Sequence, residues 1–519
     1  MKKRIFIVLF FLCSVSLFSQ VSFSIGGKAK QRIKPIAGST IEIGTHITLK
    51  DYKTTLVIGQ GYQGSPGNER QPRLVFVADC NGKDVLIDPE DAKNIIFDNP
   101  NSTDQLWQII SVNSDLYDNI SSNGYQYDIR RDLEDETMDM LYNFQKSYGF
   151  FNDEYLDDYI QSLLHRIHPI TLTDGRPGNL LIKILRSNNP NAFCTPTGTI
   201  IVTTGLLSTC RSEDELIGVL AHEVAHFVLD HQIININKAR ERKKRAEFWA
   251  NFATTVAAAS EIYVAAKRHV NLGGSLTYAT AVLSTSIANS VLERLGAEFS
   301  REQEFEADAA ATKVLEFMKK DPKALSAALS RIQTYCTLNG DYLALISSGT
   351  HPALSMRITQ IGAVDPDQFN SKKYDQLVSF VSTFNAENEY WQGHLEAALE
   401  LANRNIEAGV ATEEDYLLKA IALRSLFDTP EYNQEALGLI IKAKALNVTP
   451  DDFPQIYKEE GITLMRLGRN QDAVNAFQTY LQRIDVGNEK PQYLLDEIAW
   501  TKKMIFKINA ESPSSGAIH

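Results

Sequence analysis

The chain has 519 residues, and at roughly 150 residues per domain it holds about three domains. Apolar types make up 44% and charged types 22%, a globular balance that excludes wholesale disorder and collagen-like repeats. Asp and Glu number 64 against 52 Lys and Arg, a net charge of -12, which excludes the basic field of a nucleic-acid binder; the repeated apolar runs of a transmembrane bundle are missing too.

Lys2, Lys3 and Arg4 precede a continuous apolar stretch, Ile5 to Leu12, followed by Ser14, Ser16, Ser19 and Gln20. This is the layout of a secretory signal peptide, residues 1–19, and it predicts an exported chain. Cys80, Cys194, Cys210 and Cys336 lie beyond it, none in a C-x-x-C pair or at zinc-finger spacing. One bridge, Cys194 to Cys210, stays open, and no cysteine is expected to bind metal.

Residues 20–120 read as a small β-rich domain, a barrel or sandwich. The runs Ile41–Leu49, Thr54–Gly59, Arg73–Asp79 and Asp84–Pro89 are strand-like, and Gln60–Gln71 is a Gly- and Pro-rich loop. Residues 116–130 read as a linker. Helical spacing then covers Leu133–Tyr148 and Glu154–Ile167. Strands are predicted at Leu180–Leu185 and Gly198–Thr204, with turn residues from Asn188 to Pro196 between them. A helix follows from Glu213 to His231.

Residues 233–299 read as long, Ala-rich helix. Val270 to Leu292 carries no charge, but ten of its 23 residues are Ser, Thr, Asn or Tyr, too polar for a span. A buried or membrane-adjacent helix, with peripheral membrane contact, is expected there. From about 385 to 510 the chain is all helical. Tyr457–Leu481 has Tyr457, Gly461, Leu464, Gly468, Ala473 and Phe477 at tetratricopeptide spacing, where small residues let two helices approach and large ones fill the groove. Looser pairs precede it, Tyr390–Ala408 and Asp415–Leu426 with Asn433–Ala445, and Gln492–Ile508 caps the array.

The sharpest chemical signal is Ala221–His226, AHEVAH. His222 and His226 are i and i+4 on a helix and share a face, so two imidazoles can reach one ion. Glu223 sits where its carboxylate can take a proton from a water on that ion, the H-E-x-x-H chemistry of zinc proteases. Ser212 and Glu215 fit a capping box at the helix start. The apolar residues Leu216, Ile217, Val219 and Leu220 bury its back, and polar groups inside such a helix need a reason, which a metal supplies. His231 lies nine residues past His222, on the opposite face, and is read as a helix-end residue favoured by the dipole. The better third ligand is Glu304, in Ser300–Asp308. Asp308 is its i+4 neighbour and can fix the tautomer of a ligand His.

At these residues the chain resembles the M48 family of zinc metallopeptidases. The resemblance covers about residues 130–365 and rests on Asn189–Leu207, Glu215–His231, Ser300–Asp308 and Thr350–Ile358, in family order. The architecture is most similar to a periplasmic subgroup, the outer-membrane assembly-enhancing proteases with a C-terminal tetratricopeptide region. The resemblance implies an α+β fold: a mainly helical zincin-type domain with a small β-sheet. It implies one zinc ion held by His222, His226 and Glu304, with Glu223 as general base and acid and Asp308 orienting a ligand His. His351 would sit near the metal, either assisting the reaction or keeping the enzyme shut, and Arg357 would support it through an acidic partner. Ile200, Ile201, Val202, Thr203 and Thr204 look like the family's active-site edge strand, where an extended substrate pairs backbone to backbone. Cys194–Gly198 stands where the family often has a Pro-Gly-Gly turn, and the β-rich N-terminal domain is outside the subgroup's usual plan.

These expectations describe a periplasmic zinc endopeptidase for unfolded or misassembled exported proteins, with the helical repeats docking a client or envelope partner. Two alternatives are a latent zinc protein acting as a chaperone-like scaffold and a membrane-embedded prenyl-protein-type protease with spans at 248–266 and 270–292.

Overall fold

The computed structural model describes residues 23–58, 70–121, 149–173, 180–238, 299–338, 354–447, 453–486, 490 and 492–511, with a few positions between 134 and 145. The signal peptide, most of the Gly- and Pro-rich loop, residues 239–298 and His351 lie outside them. The chain divides into two compact units.

The first unit takes in Met1–Ile129, His165–Asn179 and Val228–Asn237. Its strands are β1 (Ile25–Ala29), β2 (His46–Ile58), β3 (Arg70–Cys80), β4 (Lys83–Ile87) and, after the short helix α1 (Pro89–Ala92), β5 (Ile95–Phe97). They pair antiparallel in the order β4-β3-β2-β1-β5. Period-two alternation buries Ile47 and Leu49 of β2 with Phe76 and Ala78 of β3. The sheet is open among the described residues, so the expected barrel or sandwich is replaced by one sheet. The two runs expected at 41–49 and 54–59 are largely one strand, because a bulge between Leu49 and Asp51 absorbs the irregularity without ending the pairing.

Two helices follow the strands in this unit, α2 (Thr103–Val112) and α3 (Leu116–Ser121). Ser102 caps α2 by accepting the Gln105 N–H at 3.1 Å. Trp107 is fully buried, and its indole N–H donates to the carbonyl of Ile167 at 2.7 Å. The expected linker therefore starts later than 116, since Leu116 and Tyr117 are buried.

The chain continues through α4 (Glu154–Ile167) and α5 (Ile170–Thr173). The second unit comprises Arg130–Leu164, Leu180–Phe227 and Lys238–His519. Its sheet has β6 (Leu181–Leu185), β7 (Ala192–Cys194) and β8 (Thr199–Thr203) in the order β6-β8-β7. β6 runs parallel to β8, and β7 runs antiparallel to it. This corrects the edge-strand expectation. Ile200, Ile201, Val202 and Thr203 are the buried centre of the sheet, and Thr204 opens the next helix. The outer strand is β7, three residues hidden among the turn-forming Asn188–Pro196.

Beyond β8 come α6 (Thr204–Thr209), α7 (Glu213–Val228) and α8 (His231–Lys238). The long helix expected to reach His231 stops at Val228. Asp230 takes a left-handed φ of 56°, and His231 starts α8 instead of closing α7. Then follow α9 (Arg301–Phe317), α10 (Ala324–Leu338), α11 (Leu354–Ile361) and α12 (Lys372–Leu377).

The rest is a run of helices: α13 (Ser379–Gln392), α14 (Leu395–Ala408), α15 (Glu413–Leu426), α16 (Pro430–Leu446), α17 (Gln455–Arg466), α18 (Asn470–Ile484) and α19 (Gln492–Glu511). Each packs on the next, and the short connections make neighbours antiparallel. Within Tyr390–Ala408, expected as a loose helical pair, the division falls at Gly393, which ends α13 in the left-handed conformation. Gly461 lets α17 approach α18 so closely that a Cβ there would lie 2.6 Å from the Phe477 ring. This run is anchored inside its unit by buried charges. Arg404 of α14 donates to Asp375 of α12 at 2.8 Å and to the carbonyls of Ser208 and Cys210, and Arg211 holds Asp375 at 3.0 and 3.1 Å.

Candidate metal centre

α7 and α9 carry the site. The start of α7 is fixed by Ser212, whose hydroxyl accepts the Glu215 N–H at 3.2 Å. The expected capping box closes one residue early, because the Glu215 carboxylate accepts the Arg211 N–H at 2.6 Å and the Arg331 Nε at 3.0 Å. α9 starts with a full capping box between Ser300 and Gln303. Both helices turn polar side chains into an apolar interior, and α11 adds another: His222, Glu223, His226, Glu304 and Asp308 of α7 and α9, and Arg357 of α11, are each 3% exposed or less.

His222 and His226 face each other with their Nε2 atoms 3.0 Å apart. Glu304 places Oε2 at 3.5 Å from the His222 Nε2 and Oε1 at 3.5 Å from the His226 Nε2. Among the described residues these three are the group whose ligand atoms converge, all within 4.8 Å of one another. Ligands about 2.0–2.1 Å from a tetrahedral zinc lie about 3.3–3.4 Å apart, so the observed separations match. Two imidazole nitrogens and two carboxylate oxygens so close together in a dry interior call for a cation between them. The donor set therefore fits zinc.

The surrounding groups orient the ligands. The Asp308 carboxylate lies 2.9 Å from the His222 Nδ1, so a proton there leaves Nε2 as the lone-pair donor toward the site. Arg357 grips Asp308 through two bonds, 2.9 Å from Nε and 2.6 Å from Nη2, and its Nη1 lies 3.2 Å from the Glu304 Oε2. Burial pushes the Asp308 carboxyl up, but Arg357 and His222 outweigh this and hold it well below the usual carboxylate range. Burial and Arg357 push the His222 imidazole down, but its bonds to Asp308 and Glu304 outweigh them and raise it to about 9. Phe299 stacks on His226, ring centroids 3.8 Å apart.

Residues 155–364 match peptidase family M48. That match takes in every residue of the centre. A mitochondrial metalloendopeptidase OMA1 of Schizosaccharomyces pombe is 28% identical over 220 residues, 40% of this chain and 57% of that protein. A protease HtpX homolog of Methylibium petroleiphilum is 29% identical over 214 residues, 36% of this chain and 69% of its own. A Vibrio cholerae protein, provisionally named a beta-barrel assembly-enhancing protease, is 34% identical over 97 residues, 19% of each chain. The chain thus spans little more than half of the yeast relative.

Against this M48 frame, the structure brings together the residues expected on α7, α9 and α11: His222, Glu223, His226, Glu304, Asp308 and Arg357. It does not bring in Ile200–Thr204 as an edge. No disulfide joins Cys194 and Cys210; both are buried thiols. Sequence reasoning missed the main chain of β7, where the Cys194 N–H donates to the Glu223 Oε2 at 3.0 Å. It also missed Phe299, although its place directly before the Ser300 cap was a readable signal. Among the described residues no helix is long and apolar enough to cross a membrane.

Proposed function

We propose that this protein is a zinc-dependent metalloendopeptidase that cleaves unfolded or misassembled exported proteins in the periplasm of a Gram-negative bacterium. The observation that carries the reading is the convergence of His222, His226 and Glu304 with Glu223 beside the first ligand. His222, His226 and Glu304 would hold one zinc ion. When bound, zinc supplies Lewis acidity that makes water a competent nucleophile near neutral pH and steadies the negative charge on the attacked carbonyl. Glu223 takes the proton from the attacking water and returns it to the leaving amine. Asp308 keeps the His222 proton on Nδ1, and Arg357 keeps Asp308 and Glu304 in place. An extended substrate would pair with β7, whose outer side has no strand partner among the described residues. Main-chain pairing favours extended segments over particular side chains. The helices from α13 onward resemble tetratricopeptide hairpins at Gly461 and Phe477, and we assign them the docking of clients or an envelope partner.

One observation favours a second reading, a normally latent zinc protein that acts as a scaffold. The centre and β7 are nearly inaccessible, with Ala192, Phe193 and Cys194 at 4%, 7% and 2% exposure. A substrate must open the site before it can pair.

The test measures zinc content and casein cleavage of the full mature chain beside Glu223→Gln at equal zinc loading. Cleavage by wild type that disappears in Glu223→Gln with zinc retained supports the peptidase. Bound zinc with no cleavage in either supports the latent reading, and His351→Ala is then the next variant. A chain that binds no zinc refutes both.

A further inference from the structure

We propose that the main-chain N–H of Cys194 positions Glu223, so that the outer strand and the proton-carrying carboxylate form one mechanical unit. This rests on the peptidase reading of the centre. In an antiparallel ladder, residues alternate between bonding the partner strand and pointing their N–H and C=O away from it. β7 pairs with β8 as Ala192↔Val202, Phe193↔Ile201 and Cys194↔Ile200. On either side, the Thr203 N–H donates to the Asn191 carbonyl at 3.0 Å and the Thr195 N–H donates to the Thr199 carbonyl at 2.8 Å. Positions 191 and 195 therefore bond β8, and alternation adds Phe193. The main-chain groups of Ala192 and Cys194 face outward.

The outward N–H of Cys194 is already occupied. It donates to the Glu223 Oε2 at 3.0 Å, and both residues are buried. An amide bond to a buried carboxylate is charge-assisted, and it orients the acceptor as well as stabilising it. The hairpin holds the height of this donor. The Thr195 hydroxyl accepts the Thr199 N–H at 3.0 Å, and the Gly198 N–H closes the turn onto the Thr195 carbonyl at 3.0 Å. The thiol itself donates to the Thr195 carbonyl at 3.4 Å. A peptide lying on this edge therefore finds the outward-facing N–H and C=O of Ala192. Its register is set by Ala192.

Two measurements on the full zinc-loaded chain test this. Replacing residue 194 by its α-hydroxy acid, an amide-to-ester change, removes the N–H, keeps the side chain and weakens the Phe193 carbonyl as an acceptor, an effect that the same change at Ala192 reproduces at the Asn191 carbonyl. The expected result is a fall in kcat of about 10- to 100-fold with KM and zinc content unchanged. The same change at Ala192 is expected to raise KM instead. The second measurement is amide exchange over residues 190–197. In Glu223→Ala the Cys194 amide loses its acceptor and exchanges at least about tenfold faster, while the Phe193 and Thr195 amides keep their protection. Glu223→Gln keeps a neutral acceptor and falls between, which also covers the case that the alanine variant does not fold. The proposal is overturned if the ester at 194 leaves kcat within twofold, or if the Cys194 amide is as protected in Glu223→Ala as in wild type. If wild type cleaves nothing, the peptidase reading fails on its own, and the exchange pattern still decides whether Cys194 holds Glu223.

Discussion

Asp308→Asn removes a charge and leaves the shape. In the structure, Asp308 holds the His222 Nδ1 at 2.9 Å and Arg357 at 2.6 and 2.9 Å. Loss of a carboxylate behind a ligand histidine weakens metal binding about 10- to 100-fold, or about 1.4–2.8 kcal/mol. Here a second effect adds to it. Arg357 is 3% exposed, and of its two carboxylate partners only Glu304, at 3.2 Å, would remain charged. Stripping the partner from a buried ion costs about 3–5 kcal/mol, and with Glu304 still in place we expect about 2–3 kcal/mol of folding stability to go. Arg357 would then lean on Glu304 and compete with the metal for it, which favours the upper half of the affinity range. The sign with pH follows from the depressed carboxyl: the stability Asp308 contributes is present above its unfolded value of about 3.9 and is lost as pH falls through its folded value. Competition with a chelator gives the zinc Kd, and urea unfolding with and without zinc gives the stability. A zinc Kd within threefold of wild type, or an unchanged urea midpoint, would refute the assigned role of Asp308.

Two further outcomes follow from the geometry. With the His222 imidazole raised to about 9, metal uptake at pH 7 should release close to one proton from that residue, and the metal affinity should climb as pH rises toward 9. Calorimetry in buffers of different ionisation enthalpy counts the proton, and a count near zero would mean that Asp308 and Glu304 do not hold it there. Gly461→Val would put its Cβ 2.6 Å from the Phe477 ring, which is fully buried. Overpacking of this kind costs about 1–3 kcal/mol, so a lower midpoint is expected in thermal unfolding, and an unchanged one would show that α17 and α18 are not in close contact.

Much of the centre is legible in the sequence, because it depends on period. His222 with His226, and Glu304 with Asp308, are each i and i+4 on a helix, and helical period alone puts each pair on one face. The apolar residues around them then mark which face is inside. Arg357 is less legible. A lone Arg a few residues after His351 says nothing about its partner until α11 is packed beside α9, where it meets both Asp308 and Glu304. In the N-terminal unit, α2 carries a clear signal that the strand-like runs around it mask: Ser102 and Gln105 form an N-terminal signature, and Leu106, Trp107 and Ile110 share a face.

The order of strands is a different kind of information. Val, Ile and Thr in Thr199–Thr203 mark a strand, and full burial on both sides is what a central strand of this composition should have. An edge strand tolerates Asn, Pro and few branched residues, since one side of its ladder carries no pairing demand. Asn188–Pro196 has that composition, and β7 lies within it. Strong β propensity was thus the wrong signal for an edge, and weak propensity next to a strong strand was the right one. What β7 contributes is also invisible to side-chain reasoning, because every residue there has the same N–H. Only the register, Cys194 opposite Ile200, tells which N–H faces Glu223. By the same logic a one-residue slip of β7 would turn Phe193 outward and Cys194 inward, and would disconnect the carboxylate without changing any side chain of the metal centre.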